Sequence, residues 1–291
     1  MAEMQNIQWF PGHMAKTRRK ITESLRLVDA VVEIADARIP VSSRNPELAG
    51  IIDKKPRLIV LNKCDLASQK ANAEWCRTFE KQGIPCILTD SKTGTGLKNF
   101  KDRIHSLLSC ELQKSIDKGM VGKKLRIMVV GIPNVGKSSL INKLVGKKRA
   151  KVEDRPGVTR GNQWYAVDER LELLDTPGVL WPKFDDMTVG EHLAFCGSVK
   201  DEITDRELLA MRLADFLAGN YPEALRERFK ISEFEGEAHD LLCKIGKARG
   251  MMLRGGEVDT ERAAVMLLDE FRAGKLGRIT IEFPEVNNAD R

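Results

Sequence analysis

The sequence lacks any long hydrophobic segment. Among its 291 residues, no run approaches the roughly eighteen consecutive apolar residues that a membrane-spanning helix needs. The first residues, MAEMQNIQWF, also lack the charged leader and apolar stretch of a secretory signal. The sequence therefore predicts a protein that neither spans a membrane nor is exported.

Cysteine and repeat patterns are missing as well. The six cysteines include no Cys-x-x-Cys pair and no regular spacing, which argues against a disulfide framework and against a zinc site. No internal repeat and no low-complexity tract is present. These absences indicate a reducing compartment, and we expect a soluble, cytoplasmic monomer.

Positive charge is in slight excess. The formal net charge is +6, and basic residues are concentrated in four short segments. Such segments favour a polyanionic partner, although a solvated lysine-rich surface explains them equally well. The four segments are KTRRK (16–20), GKKLR (122–126), GKKRAK (146–151) and KIGKARGMMLR (244–254).

Buried-strand patterns alternate with helical patterns over the first two thirds of the chain. Examples are AVVEIADAR, PRLIVLN and LRIMVVG, each followed by a segment with helical periodicity. This alternation is typical of βαβ units and predicts an α/β domain with a doubly wound, mostly parallel sheet. Beyond about residue 200 the strand patterns nearly vanish. We therefore predict an α/β domain with a basic N-terminal segment over residues 1–204, and a small all-helical domain over residues 205–291.

The segment GIPNVGKSS (131–139) follows a predicted strand and precedes a predicted helix. It fits the G-x-x-x-x-G-K-[ST] pattern, in which glycines let the backbone wrap a phosphate chain and the helix N-terminus faces the anion. Lysine then reaches the outer phosphates, and the following serine binds Mg²⁺. The expected nucleotide-binding residues are Asn134, Val135, Gly136, Lys137, Ser138 and Ser139.

The segment DTPG (175–178) lies some forty residues further on, at the end of another predicted strand. In that position Asp175 is expected to hold Mg²⁺ through water, and the N–H of Gly178 to reach the outermost phosphate. Thr159, in the intervening RPGVTRG, is expected to bring its hydroxyl to Mg²⁺, although a turn-capping role is nearly as consistent with the sequence.

The segment LNKCD, about seventy residues before the phosphate loop, has the Asn-Lys-x-Asp spacing of a guanine-recognition element. The carboxylate of Asp65 can accept from N1–H and the N2 amine of guanine, a donor pair that adenine lacks. Lys63 can lie along the base, and Asn62 can either meet the N7 and O6 edge or tie this loop to the phosphate loop. A backbone N–H of Ser91 or Lys92, in TDSKTGTG, is expected to meet O6. Taken alone, LNKCD is also consistent with an ordinary surface loop.

Base recognition thus precedes phosphate recognition, an order that resembles the circularly permuted P-loop GTPases. The segments WFPGHMAKTRRK and DARIPVSSRNP are similar to those of the ribosome biogenesis GTPase A family in particular. This resemblance implies binding of GTP with Mg²⁺, slow hydrolysis, and action on the large ribosomal subunit precursor and its rRNA, with no role for DNA or membranes. One departure is Asp90-Ser91-Lys92, where Ser-Ala-Lys is common.

The place of the water-orienting glutamine, just after the D-x-x-G element, holds Val179. Slow hydrolysis is therefore expected, with Lys137, Thr159 and His13 as the catalytic candidates. Asn134 matches the asparagine that ligates K⁺ in potassium-activated relatives, although it can equally cap a turn. His13 can orient water, but a lone histidine is more often structural.

Two classes of function remain open on these grounds. One is a GTPase that an RNA–protein particle stimulates. The other is a nucleotide-gated RNA-binding scaffold in which hydrolysis is incidental. Within the first class, an assembly GTPase of another particle such as the small subunit also remains open.

Overall fold

The computed structural model describes residues 19, 21–52, 55–120, 122–146, 163–176, 186–199, 201, 204–234 and 236–284. These residues fall into two compact units, one within residues 8–183 and 280–284 and the other within residues 186–279. We call them the G unit and the helical unit. None of the helices in the described residues is long and apolar enough to cross a bilayer.

The G unit contains a six-stranded sheet in the order β3-β2-β1-β4-β6-β5. All neighbouring strands are parallel except β5, which runs antiparallel to β6 at one edge. Every residue of β1 is buried, as expected for a central strand covered on both faces. The predicted doubly wound, mostly parallel sheet is therefore confirmed. The strands are β1 Ala30–Asp36, β2 Arg57–Asn62, β3 Cys86–Leu88, β4 Leu125–Gly131, β5 Gln163–Ala166 and β6 Leu171–Asp175.

Two core clusters join helices to one face of this sheet, the face of Val31 and Ala35. Trp75 and Phe79 of the helix after β2 pack on Ile59, Leu61 and other buried side chains of one core cluster. A second cluster joins Ile21 and Leu25 to β1 and β4. Among the described residues of the G unit, residues 21–25 are helical, and the helices that follow are α1 Pro46–Ile52, α2 Gln69–Lys81, α3 Leu97–Leu107, α4 Ser109–Asp117 and α5 Lys137–Val145.

The helical unit is built from helices, three of which have aspartate caps. The side chains of Asp186, Asp205 and Asp259 accept backbone N–H bonds at three helix N-termini, which satisfies donors that have no partner within the helix. Its helices are α6 Met187–Phe195, α7 Arg206–Asn220, α8 Pro222–Phe229, α9 Ala238–Ala248 and α10 Thr260–Arg272.

The helical unit begins earlier than the predicted boundary at residue 205. The guanidinium of Arg272 donates to the carbonyl oxygens of Ala194 (2.8 Å) and Phe195 (3.1 Å), and it pairs with Asp201 at 2.7 Å. These bonds fasten the end of α6 to the end of α10, so α6 belongs with the later helices.

The last described residues of the chain belong to the G unit and not to the helical unit. Residues 280–283, which we call the C-terminal strap, bind to the G unit. The N–H of Ile281 donates to Arg38 O at 2.9 Å, and the indole N–H of Trp75 donates to Glu282 O at 2.8 Å. The Glu282 carboxylate accepts from the N–H groups of Val41 (2.6 Å) and Ser42 (3.0 Å). The G unit therefore includes residues from both sides of the helical unit.

Candidate active site

The carboxyl ends of four adjacent parallel strands form the floor of the site. Asp36 ends β1, Asn62 ends β2, Gly131 ends β4 and Asp175 ends β6. Because parallel strands present these ends at one edge of a sheet, segments far apart in sequence meet there. Ligands of open α/β sheets bind at this edge.

The phosphate loop runs from Gly131 into α5, and two glycines in it have no room for a side chain. A Cβ on Gly131 would lie 2.8 Å from Ile34 O, and one on Gly136 would lie 2.2 Å from the Asn62 amide nitrogen. Gly136 also has a φ of 91°, which favours glycine. The loop is thus pressed against both β1 and the guanine-recognition element.

The first turn of α5 holds Lys137, Ser138 and Ser139. The N–H groups of a first helical turn lack intrahelical acceptors, and together with the helix dipole they form an anion site. Lys137 is buried and pairs with Asp175, while Ser138 and Ser139 are half-buried. This arrangement suits a phosphate chain lying over the loop.

Asp175 is fully buried at the end of β6. Its Oδ1 receives the Lys137 ammonium, whereas its Oδ2 has no hydrogen-bond partner among the described residues. Burial raises the pKa of the Asp175 carboxyl, and the nearby ammonium opposes that rise. A buried carboxylate oxygen without a partner costs roughly 1–3 kcal/mol, so this oxygen fits a cation or the water bound to one.

Asn62 joins the guanine element to the phosphate loop. Its Nδ2 donates to Val135 O at 2.8 Å, and its Oδ1 accepts from the Ser91 hydroxyl (2.7 Å), the Ser91 N–H (3.1 Å) and the Thr89 hydroxyl (3.1 Å). Of the two roles open to Asn62, the structure thus shows the tie between the loops.

Lys63 and Asp65 lie on the loop that follows. Lys63 has a φ of 58°, an uncommon conformation for a residue with a side chain, and its ammonium lies 2.9 Å from Asp36 Oδ2. The carboxylate of Asp65 is half-buried, and no described residue hydrogen-bonds it. Its oxygens are therefore available to a base. Asp36 is not among the predicted site residues. It can be recognised as a neighbour of the site from the strand register, which places it opposite Asn62.

Ser91 and Lys92 differ from expectation in detail. The Ser91 N–H donates to Asn62, and the Lys92 N–H donates to Asp90 Oδ1 at 2.7 Å. Asp90 replaces the serine of the usual element and captures the Lys92 N–H itself. A contact between the Ser91 N–H and guanine O6 therefore requires that this N–H be shared with Asn62.

The remaining predicted residues, His13, Thr159 and Gly178, lie outside the described residues, as does Val179. Asn134 is described and has a φ of 63°. Among described residues other than glycine, only Lys63, Asn134 and Lys230 have a positive φ. Two of these three lie at the nucleotide edge, which is where such conformations are typically retained for function.

Comparison with known proteins decides the family. Residues 126–228 match the model of a family described as 50S ribosome-binding GTPase. The sequence is 46% identical over 279 residues to Ribosome biogenesis GTPase A from Bacillus cereus, covering 96% of this chain and 94% of that protein. This chain belongs to the ribosome biogenesis GTPase A family. A further member, from Thermotoga maritima, is 32% identical over 280 residues, covering 96% of this chain and 95% of that protein.

Solved structures agree with this assignment. The GDP-bound and GNP-bound forms of YlqF from Thermotoga maritima superpose with TM-scores of 0.64 and 0.65 at 29% identity. The match to the GDP-bound form covers 92% of this chain and 100% of that chain. The match to the GNP-bound form covers 93% of this chain and 99% of that chain. The predicted permuted P-loop GTPase fold is confirmed, and this ribosome biogenesis GTPase A family member is an enzyme that hydrolyses GTP.

Proposed function

We propose that this GTPase acts in late maturation of the large ribosomal subunit, where it binds the precursor and its rRNA and the particle stimulates hydrolysis. The observation that carries the proposal is the match to Ribosome biogenesis GTPase A over 96% of the chain, including the helical unit as well as the G unit. The family description, 50S ribosome-binding GTPase, points to the same particle.

Guanine is selected in the pocket beside Asn62. Asp65 accepts from N1–H and the N2 amine, and the stem of Lys63 lies along the base. An adenine would leave the half-buried Asp65 carboxylate without donors, which is the basis of the selectivity. Ser91 adds its shared N–H at O6, and Lys92 supports the same loop.

The phosphates occupy the loop from Asn134 to Ser139. Lys137 changes partner on binding: its ammonium leaves the Asp175 carboxylate for the outer phosphate oxygens. Ser138, Thr159 and Asp175 would hold Mg²⁺, which would supply charge neutralisation during phosphoryl transfer. Gly178 donates its N–H to the outermost phosphate.

Val179 stands in the place of the glutamine that usually orients the attacking water, and its side chain cannot accept or donate a proton. His13 orients the water, and Asn134 would hold K⁺, which would offset the charge that develops on the phosphate. Exchanging KCl for NaCl should slow turnover of the native enzyme but not of Asn134→Ala. His13→Ala should lower kcat while leaving GDP affinity unchanged. Equal rates in both salts, or an unchanged kcat, would contradict the respective role.

The helical unit supplies an RNA-contact surface after α9. Two backbone hydrogen bonds close a tight hairpin there. The Leu253 N–H donates to Glu257 O at 2.8 Å, and the Asp259 N–H donates to Met251 O at 2.9 Å. Lys247 and Arg254 are exposed on and beside it. Replacing both by glutamate should weaken co-sedimentation with the particle and reduce its salt dependence, without changing intrinsic GTP turnover.

The decisive experiment measures GTP turnover with purified large subunits, with small subunits and without particles. We expect stimulation by large subunits and co-sedimentation with them in a non-hydrolysable GTP analogue. Stimulation by small subunits alone would mean that the enzyme acts on the small subunit instead of the large one. Co-sedimentation without any stimulation would favour a scaffold in which hydrolysis is incidental.

A further inference from the structure

Asp36 is a buried carboxylate beside the guanine pocket that none of the nucleotide-binding motifs contains. It ends β1 directly opposite Asn62, and its residue is 1% exposed. Oδ1 accepts from the Arg38 N–H (3.1 Å) and Nε (3.0 Å), and Oδ2 accepts from Arg38 Nη2 at 2.8 Å. Oδ2 also lies 2.9 Å from the Lys63 ammonium. All four contacts come from one arginine and the lysine of the guanine element.

The Asp36 carboxylate cannot move away from Lys63. Arg38 holds both carboxylate oxygens in a fork, which fixes the orientation of the group. Two backbone bonds fix its surroundings, from the Ala37 N–H to Asn62 O (2.8 Å) and from the Ile281 N–H of the C-terminal strap to Arg38 O (2.9 Å). Burial alone would raise the pKa of the Asp36 carboxyl, but the Arg38 and Lys63 cations hold that pKa well below its usual range. Asp36 is therefore a permanent negative charge.

Lys63 needs such an anchor. A lysine side chain has many rotamers, and ordering them on ligand binding lowers affinity. Lys63 also adopts a φ of 58°, which a residue with a side chain retains only when its neighbours enforce it. Its side chain is 23% exposed, whereas the Asp36 side chain is 1% exposed. The buried member thus fixes the member that faces the ligand.

We propose that Asp36 is a positioning residue for guanine-nucleotide binding: it holds the Lys63 ammonium so that the side chain is ordered along the base plane before nucleotide binds. This inference rests on the proposed roles of Lys63 and Asp65 at the base. It assigns Asp36 no contact with the nucleotide, so its effect passes entirely through Lys63.

The test compares Asp36→Asn with Glu33→Gln. Glu33 is a matched control because it lies on the same strand, is 2% exposed, and pairs with Arg44 (3.1 Å) and Arg57 (3.7 Å). Both substitutions break a buried ion pair of β1, but only one touches Lys63. Because Asp36→Asn leaves Arg38 without its carboxylate and can impair folding, Lys63→Met serves as a second variant that keeps the stem and removes only the ammonium.

The readout is the affinity for GDP, with the dissociation rate of a fluorescent GDP analogue. We expect the affinity to fall about tenfold, or roughly 1.4 kcal/mol, for Asp36→Asn and for Lys63→Met. The double variant should fall no further, and Glu33→Gln should keep the native affinity. An unchanged affinity in Lys63→Met, or additive losses in the double variant, would overturn the inference.

A separate variant distinguishes failure of the base assignment. Asp65→Asn exchanges an acceptor for a donor. The preference should therefore move from GDP to xanthosine diphosphate (XDP), because xanthine carries at C2 an oxygen that accepts, where guanine carries an amine that donates. If that shift is absent, the proposed base pocket is wrong. If it is present while Asp36→Asn behaves like Glu33→Gln, only the positioning role of Asp36 fails.

Discussion

Gly136→Ala should separate the two halves of the nucleotide site. Gly136 has a φ of 91°, and a Cβ there would lie 2.2 Å from the Asn62 amide nitrogen. The left-handed backbone costs a residue with a side chain about 1–2 kcal/mol. Displacing the amide from Val135 O leaves a buried hydrogen bond unmade, which adds about 1–3 kcal/mol. We therefore expect the free energy of unfolding to fall by about 2–5 kcal/mol.

Gly83→Ala is the control for the backbone term. Gly83 has a φ of 75°, and a Cβ there would meet nothing within 4 Å. Urea denaturation should show a loss of only about 1–2 kcal/mol for this variant. Titration with a fluorescent GDP analogue should show native affinity for Gly83→Ala and, for Gly136→Ala, a loss between about fivefold and a hundredfold. Equal stability losses together with native GDP affinity in both variants would refute the argument.

Three further changes test other parts of the molecule. Asp175→Asn removes the charge that Lys137 and Mg²⁺ share, so GTP turnover should fall at least about a hundredfold and respond little to added Mg²⁺; a native Mg²⁺ titration curve would argue against that role. The Arg228 guanidinium holds the pKa of the Glu270 carboxyl below its usual range. The ion pair therefore stabilises the helical unit fully above the pKa of an unfolded glutamate, roughly 4.3. This stabilisation is lost as the pH falls through the lowered pKa of the folded state. Glu270→Gln should therefore lower stability at pH 7 and lower it progressively less in acid, measured by denaturation at several pH values. Glu282→Ala removes the carboxylate that receives two backbone N–H groups, and calorimetry should show a lower Tm for the G unit; no change would mean that the strap contributes nothing to stability.

Much of the site follows from sequence because its motifs lie at strand ends. LNKCD and GIPNVGKSS each follow a buried apolar strand, and parallel strands bring their carboxyl ends together whatever their order in the chain. The meeting of Asn62 with Val135 could therefore be anticipated from pattern alone. The order of these two motifs carries the resemblance to circularly permuted GTPases, whereas WFPGHMAKTRRK and DARIPVSSRNP carry the resemblance to the family.

Other contacts depend on geometry that a pattern does not encode. The pairing of Asp36 with Lys63 requires the register between β1 and β2, which no turn or motif announces. The early start of the helical unit depends on Arg272 reaching back to α6 across more than seventy residues. The Lys92 N–H bond to Asp90 is a local side-chain turn that competes with a ligand contact.

The C-terminal strap has a consequence for how the protein is made. Synthesis proceeds from the N-terminus, so all of α6 to α10 leaves the ribosome before residues 280–283 can reach Val41, Ser42 and Trp75. During translation the G unit therefore lacks part of its structure until the helical unit has already been released. A truncated G unit that ends before the helices would lack the strap as well. A nascent chain that stops before residue 280 therefore lacks the bonds that the strap makes to Val41, Ser42 and Trp75.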